Sequence, residues 1–244
     1  MLQTYAARFP TEAGGIALNC AGLAAWSGAV AQSQSVWASP SATVRWIPLT
    51  GSIIILSLTF LKLCVAPEVV RKELNIPKLT GSYGSLLMAA TLTSGELVTV
   101  NLTFARTVVY LAGSVQMLMV CYYYYLNWRL KAPPVPFWFP PTVGVGAFSI
   151  AGVRVSMPVE LQVFVALLSA VQCLFLWPWI TWRMVKSRIV APAPGAFVLA
   201  APISLVGLAF FSVTNSSRLS RDDDILNDVR LTLTLTLTDR KSVV

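Results

Sequence analysis

Val135–Gly152 reads VPFWFPPTVGVGAFSIAG, a stretch apolar enough for a bilayer that nevertheless opens on prolines and carries three glycines. Pro140 and Pro141 are expected at the first turn of a helix, where the backbone N–H has no intrahelical partner and losing it costs nothing. Gly144, Gly146 and Gly152 then leave one helix face without side-chain bulk. Lipid makes no use of such a face, whereas close helix packing or a pore does. Weaker versions of the same start stand at Phe9-Pro10-Thr11, Leu79-Thr80-Gly81-Ser82 and Ala201-Pro202-Ile203-Ser204, so the motif recurs as an internal repeat.

Composition agrees with a lipid solvent. Of the 244 residues, 56% are hydrophobic and 11% charged, and mean hydropathy is +0.69. An average soluble domain carries roughly 25% charged residues, so an all-α polytopic membrane protein is expected. The net charge of +8 does not point to nucleic acid: before Asn215 there are thirteen Lys/Arg and five Glu, and the tail after it has five of each sign. The excess base sits in short loops between apolar runs, where cytoplasmic loops carry it. Cys20, Cys64, Cys121 and Cys173 fall inside apolar runs and read as small buried hydrophobes rather than disulfide partners. Histidine is absent, which removes the commonest metal ligand and general base. With acids scattered singly, no enzyme activity, metal site or cofactor is expected. Glu12 and the uncharged stretch 13–44 set the N-terminus apart from a cleaved signal peptide, whose apolar core runs roughly 7–15 residues.

Seven apolar runs lie near 13–37, 46–65, 80–100, 105–128, 138–153, 158–182 and 194–213. Each is a candidate to cross a bilayer that takes about 20 helical residues. Loops after even-numbered runs carry Arg71, Lys72, Lys78, Arg129, Lys131, Arg183, Lys186 and Arg188, and those after odd-numbered runs carry Arg45, Arg106 and Arg154. With Arg8, nine basic residues on one side face three on the other, which places the N-terminus in the cytoplasm. The chain is read as up-down hairpins pairing runs 1 with 2, 3 with 4 and 5 with 6, with run 7 opening a fourth. Residues 1–213 form the transmembrane domain, and 214–244, with Leu/Thr alternation from Leu231 to Thr238, read as an irregular or disordered tail. The expected location is the plasma membrane. Asn101-Leu102-Thr103 and Asn215-Ser216-Ser217 are glycosylation triplets on the predicted outer side.

Charged residues within spans are functional candidates by default. Lys62, one turn from the cytoplasmic end of run 2, is expected to snorkel to the interface. Glu96 and Glu160, near outer ends of runs 3 and 6, are expected to be solvated there. Tyr122–Tyr125 with Trp128, and Trp177, Trp179 and Trp182, read as an aromatic belt at the cytoplasmic interface. The odd runs instead collect small and hydroxyl residues near their starts: Thr11, Gly14, Gly15 and Asn19; Gly81, Ser82, Gly84 and Ser85; Thr142, Gly144, Gly146 and Ser149; Ser204 and Gly207. Pro10, Pro140, Pro141 and Pro202 mark the helix starts. Helix N-termini and basic loops on one face favour anions, so these residues are the predicted lining of an anion pathway.

Five stretches carry a family resemblance: Phe9-Pro10-Thr11 with the Gly-rich first run; Ala66–Leu74, reading APEVVRKEL; Leu111-Ala112-Gly113; Trp138–Gly144, reading WFPPTVG; and Ala201–Leu205, reading APISL. In order and spacing, over about residues 9–213, they resemble the tellurite-resistance/C4-dicarboxylate transporter family of the voltage-dependent anion channel superfamily. That family includes plant guard-cell slow anion channels, a yeast malic acid permease and fungal sulfite exporters. The resemblance implies five helical hairpins, with odd helices lining a central pore and even helices outside, in a homotrimer with one pore per subunit. It implies small anions as substrates: chloride or nitrate, dicarboxylates such as malate, sulfite or tellurite. Against that pattern the chain reads as truncated after its seventh helix, three and a half hairpins of five, with no counterpart to the constricting phenylalanine of the ninth helix. The rival readings are a non-conducting fragment of an anion channel and a seven-helix receptor. A receptor requires an external N-terminus and usually an anchoring charge in run 7, and residues 194–213 hold no charge.

Overall fold

The computed structural model describes residues 8–32, 44–131, 135–186 and 202–214, and the regular structure among them is entirely helical. Helix α1 is Ala13–Gln32, α2 Trp46–Val65, α3 Pro67–Glu73, α4 Pro77–Glu96, α5 Leu102–Leu130, α6 Gly146–Arg154 and α7 Val159–Lys186. The last, α8, is Pro202–Thr214. Seven of these correspond to the seven expected runs. The ends of runs 1 and 7 at 33–37 and 194–201, the Pro40 turn and the tail from Asn215 lie outside the described residues.

Local chemistry explains the boundaries that moved. Helix α3 was unexpected; it forms because Pro67 occupies its first turn with Glu68, while Arg71 and Lys72 sit at its C-terminal end. Helix α4 starts at Pro77 rather than near residue 80 for the same reason. Asn101, read as part of a glycosylation triplet, accepts a hydrogen bond from the Phe104 N–H and caps α5. Helix α5 ends where Lys131 turns left-handed, at φ 49°.

The even runs, α2, α5 and α7, are long and apolar enough to cross a bilayer. Helix α4 is their opposite in packing. Fourteen of its residues are buried, from Thr80 to Glu96, whereas α2 buries only Leu49, Ser52, Thr59 and Lys62. Helix α4 packs on α1, α2, α5 and α6, and α7 packs on α6. Ala166 of α7 and Ile150 of α6 meet Ala209 and Val213 of α8. Helices α1, α4, α6 and α8 therefore form a continuous arc, with α2, α5 and α7 behind it. No two of those three make a principal helix contact among the described residues. Contacts between successive elements place the starts of α1, α4 and α8 at one end of the bundle, here called the near end. The starts of α2 and α5 lie at the far end, beside the last turns of α4 and α6.

The aromatic belt needs correction. Tyr125, Trp128, Trp179 and Trp182 are exposed as a belt requires, but Tyr123 is fully buried. Its ring meets Trp138 edge to face at 5.5 Å, and the Tyr122 hydroxyl donates to Leu74 O at 3.0 Å. Successive residues on a helix point in directions about 100° apart, so four tyrosines in a row cannot share one lipid-facing surface.

Candidate functional site

The near end of the arc is built on a break in the fifth run. Short 3-10 turns at Pro136–Trp138 and Val143–Val145 flank Pro140-Pro141, and α6 begins only at Gly146. The two prolines thus precede the helix instead of opening it. Two consecutive residues without an N–H interrupt the helical ladder. Thr142 N reaches back to Trp138 O at 3.2 Å and Gly144 N to Phe139 O at 3.0 Å before regular α geometry starts.

Side chains meet the carbonyls that the break leaves free. Gln116 of α5 donates to Pro140 O at 2.8 Å and to Pro141 O at 3.2 Å. Tyr123 donates to Phe137 O at 3.4 Å, Ser169 of α7 to Val143 O at 2.6 Å, and the Thr142 hydroxyl to Trp138 O at 2.5 Å. Non-helical backbone at membrane depth persists only where protein groups satisfy it in this way.

Glycines let this segment seat on the arc. A Cβ at Gly84 would stand 2.5 Å from Pro141 N and 2.7 Å from its Cα, and one at Gly81 would stand 2.6 Å from Phe137 O. Helix α4 and the broken segment therefore touch backbone to backbone. Gly14 is filled by Ser82 O at 2.5 Å, Gly144 by the Met88 thioether, and Gly146 by Ser169 Oγ at 2.8 Å. Ser85, Thr142 and Ser149 are buried, with the Ser149 hydroxyl donating to Gln162 O at 3.1 Å. Four of the predicted residues are placed differently. A Cβ at Gly15 or Gly207 would meet nothing within 4 Å, and Asn19 and Ser204 are exposed. Pro10 lies just ahead of the turn into α1, and Pro202 opens α8.

A polar knot ties the near end together. The Lys62 ammonium donates to Phe9 O at 2.8 Å, Thr11 Oγ1 at 3.0 Å and Glu73 Oε1 at 2.7 Å. Thr11 and Tyr83 each donate to Glu73 Oε2 at 2.7 Å. Lys62 is 1% exposed, so the expectation that it snorkels to water is overturned. The reason is α3, which folds Glu73 back over the end of α2 and supplies the missing counter-charge. Burial alone would raise the Glu73 pKa, but the donors Lys62, Tyr83 and Thr11 outweigh it and hold the carboxyl below its ordinary value.

The far end holds a second charged group. Glu96, expected to be solvated, is only 4% exposed and is ion-paired with Arg154 from the end of α6. Gly95 makes room for this: a Cβ there would meet Ala151 Cβ at 3.2 Å and Arg154 Cδ at 3.7 Å. Arg106 donates from Nε to Val155 O at 3.0 Å, and Arg45 stands at the start of α2, whose first turns meet the end of α4 through the Ser52–Thr93 hydrogen bond. The three basic residues of the loops after odd runs thus stand at the same end of the bundle. Glu160 is exposed on α7, as expected.

The sequence profile of the voltage-dependent anion channel family matches residues 8–237. The chain belongs to that family. A comparison with curated proteins gives no match. Anion channels and transporters are therefore its functional class, in an integral membrane setting. The features of this family member that sequence reading passed over are Glu73, Gln116, Ser169 and the Glu96–Arg154 pair. Gln116 carried a readable signal, since an amide inside an apolar run requires a buried partner. Glu73 carried none, because its role depends on α3 reversing the chain. An open cleft of about 420 Å3 lined by Leu63, Pro67, Val70, Arg71, Leu74, Asn75 and Tyr122 lies between α2, α3 and α5, behind the arc rather than along it.

Proposed function

We propose that this protein carries small anions across the membrane along the arc of α1, α4, α6 and α8, with the near end facing the cytoplasm. The observation that carries this reading is the broken segment 136–145. Its carbonyl oxygens at Phe137, Trp138, Pro140, Pro141 and Val143 are all engaged by side-chain donors, which withdraws their negative partial charge from the start of α6. What remains at that start is the positive end of the helix dipole, the device that broken membrane helices use toward anionic substrates. The members of the predicted lining that are not packed away, half-buried Gly15 and exposed Asn19, Ser204 and Gly207, are uncharged. Weak dipolar contacts of that kind let an ion leave as well as bind.

The nine basic loop residues support a cytoplasmic near end in the plasma membrane, where they raise the local anion concentration. Family resemblance adds a homotrimer with one pathway per subunit, and chloride, nitrate, dicarboxylates such as malate, sulfite or tellurite as candidate substrates. The test is chloride and nitrate flux in proteoliposomes containing the purified chain. Flux above empty vesicles, reduced by Gln116→Leu, is the expected result. Flux indistinguishable from empty vesicles defeats the proposal.

A further inference from the structure

We infer that Arg45, Arg106 and Arg154 form a binding site for a small inorganic anion at the far end of the arc, with the Glu96 carboxylate as a tethered occupant that an arriving anion displaces from Arg154. The inference rests on the pathway reading above and adds to it a named site.

Three observations converge. The first is charge: three arginines stand at this end, and the one carboxylate paired there, Glu96, contacts Arg154 alone. The other acid at this end, Glu160, is exposed on α7 and makes no ion pair among the described residues. Like charges brought together at a partly desolvated site repel, and they stay there cheaply only when a counter-charge is shared.

The second observation is an unsatisfied donor. The Arg45 Nε is buried and has no hydrogen-bond partner among the described residues. An orphaned cationic donor costs more than a neutral one, and an anion at this place would accept from it. The third is spare capacity beside it. A guanidinium carries five N–H donors; Arg154 gives Nη1 to Glu96 and Arg106 gives Nε to Val155 O, which leaves other donors on both. The Arg154 side chain is 32% exposed and Arg106 is exposed, so an ion can reach them, whereas Glu96 at 3% is reached only through Arg154. Guanidinium is more weakly hydrated than ammonium and so gives up water readily to a small anion.

Trp46 provides the readout. Its ring centroid lies 5.0 Å from the Arg45 guanidinium, and it is 42% exposed. Iodide, a small anion that quenches indole emission, is the probe, titrated against gluconate at constant ionic strength on the full purified chain. The difference between wild type and Trp46→Phe isolates the Trp46 signal. A saturable quench is expected. Arg45→Gln should raise the half-saturating iodide concentration about tenfold, and Glu96→Gln should lower it severalfold by freeing Arg154. Glu96 is buried and its variant can fail to fold, so Arg106→Gln, at an exposed position, serves as a second arm and should weaken binding as Arg45→Gln does.

A quench that rises linearly with iodide, or one unchanged by both Arg45→Gln and Arg106→Gln, overturns the inference. The titration is run in phospholipid-free detergent and in phosphatidylcholine nanodiscs. A saturable step present in detergent and absent in nanodiscs would give the site to a lipid phosphate, which also overturns it. Quenching needs no transport, so the two readings fail separately. Saturable binding without flux leaves this site standing and defeats the pathway, whereas flux without saturable quenching does the reverse.

Discussion

Removing the Glu73 carboxylate should destabilise this protein far more than removing a loop charge, because it strands Lys62. The Lys62 side chain is 2% exposed and that of Glu73 is 17% exposed. In Glu73→Gln the neutral amide can still accept from Thr11 and Tyr83, but the ammonium keeps only Phe9 O and Thr11 Oγ1 as uncharged acceptors. Breaking a buried pair from one side costs about 3–5 kcal/mol, and the two remaining acceptors put this case near 3 kcal/mol. Lys62→Met leaves a carboxylate that water can partly reach and that retains Tyr83 and Thr11, so about 1.5–2 kcal/mol is expected, the worth of one hydrogen bond to a charged group. The double variant Lys62→Met/Glu73→Gln buries no charge and should be at least about 1.5 kcal/mol more stable than the sum of the singles, since the residues touch. Unfolding by SDS titration from mixed micelles measures all three. A cost below about 1 kcal/mol for Glu73→Gln, or strict additivity, would mean that Lys62 reaches water after all, and the reasoning would fail.

The same group sets a pH dependence. Its folded pKa is depressed below 4.5, so its stabilising contribution is present above that value and lost as pH falls through the folded value; Glu73→Gln should flatten the SDS midpoint across that acid window. Gly84→Ala forces a Cβ against the Pro141 backbone and should cost about 1–3 kcal/mol, whereas Gly15→Ala, into open space, should fall within about 0.5 kcal/mol of wild type by the same titration. Gln116→Leu removes the donor to two buried carbonyls and should cost about 2 kcal/mol or more. A Gln116→Leu protein as stable as wild type would show that water or a rearranged segment takes over those bonds.

Periodicity and composition made the membrane class, the number of runs and the odd/even division legible, because an apolar stretch of span length has few other uses. The difference in burial between α4 and α2 follows from the small residues that distinguish the odd runs in the sequence. Details that depend on chain reversal were not legible. Lys62 read as a snorkelling residue because its position near a helix end fits that habit, and nothing local reveals that Glu73 returns to it through α3. The break at Pro140-Pro141 was misplaced because a proline pair is compatible both with a first turn and with a segment that delays the helix. Only the donors Gln116, Tyr123 and Ser169, distant in sequence, decide between the two. Helix α3 itself could have been read from Pro67, Glu68, Arg71 and Lys72 by capping rules alone.

The interrupted fifth run has a consequence for how the chain enters the bilayer. Helix α6 has nine residues, hence a length of about 14 Å against a hydrocarbon core of about 30 Å, and the stretch ahead of it has carbonyls that lipid cannot satisfy and that side chains of α5 and α7 engage in the folded protein. Released by itself from the translocon, that stretch would be rejected. Its partners come from α5, made before it, and α7, made after it, so the three must be held together until Ser169 has emerged. Insertion of the fifth segment is therefore expected to depend on both of its neighbours. Assays that challenge the fifth segment in isolation should find it failing to insert, while the same segment flanked by its neighbours goes in.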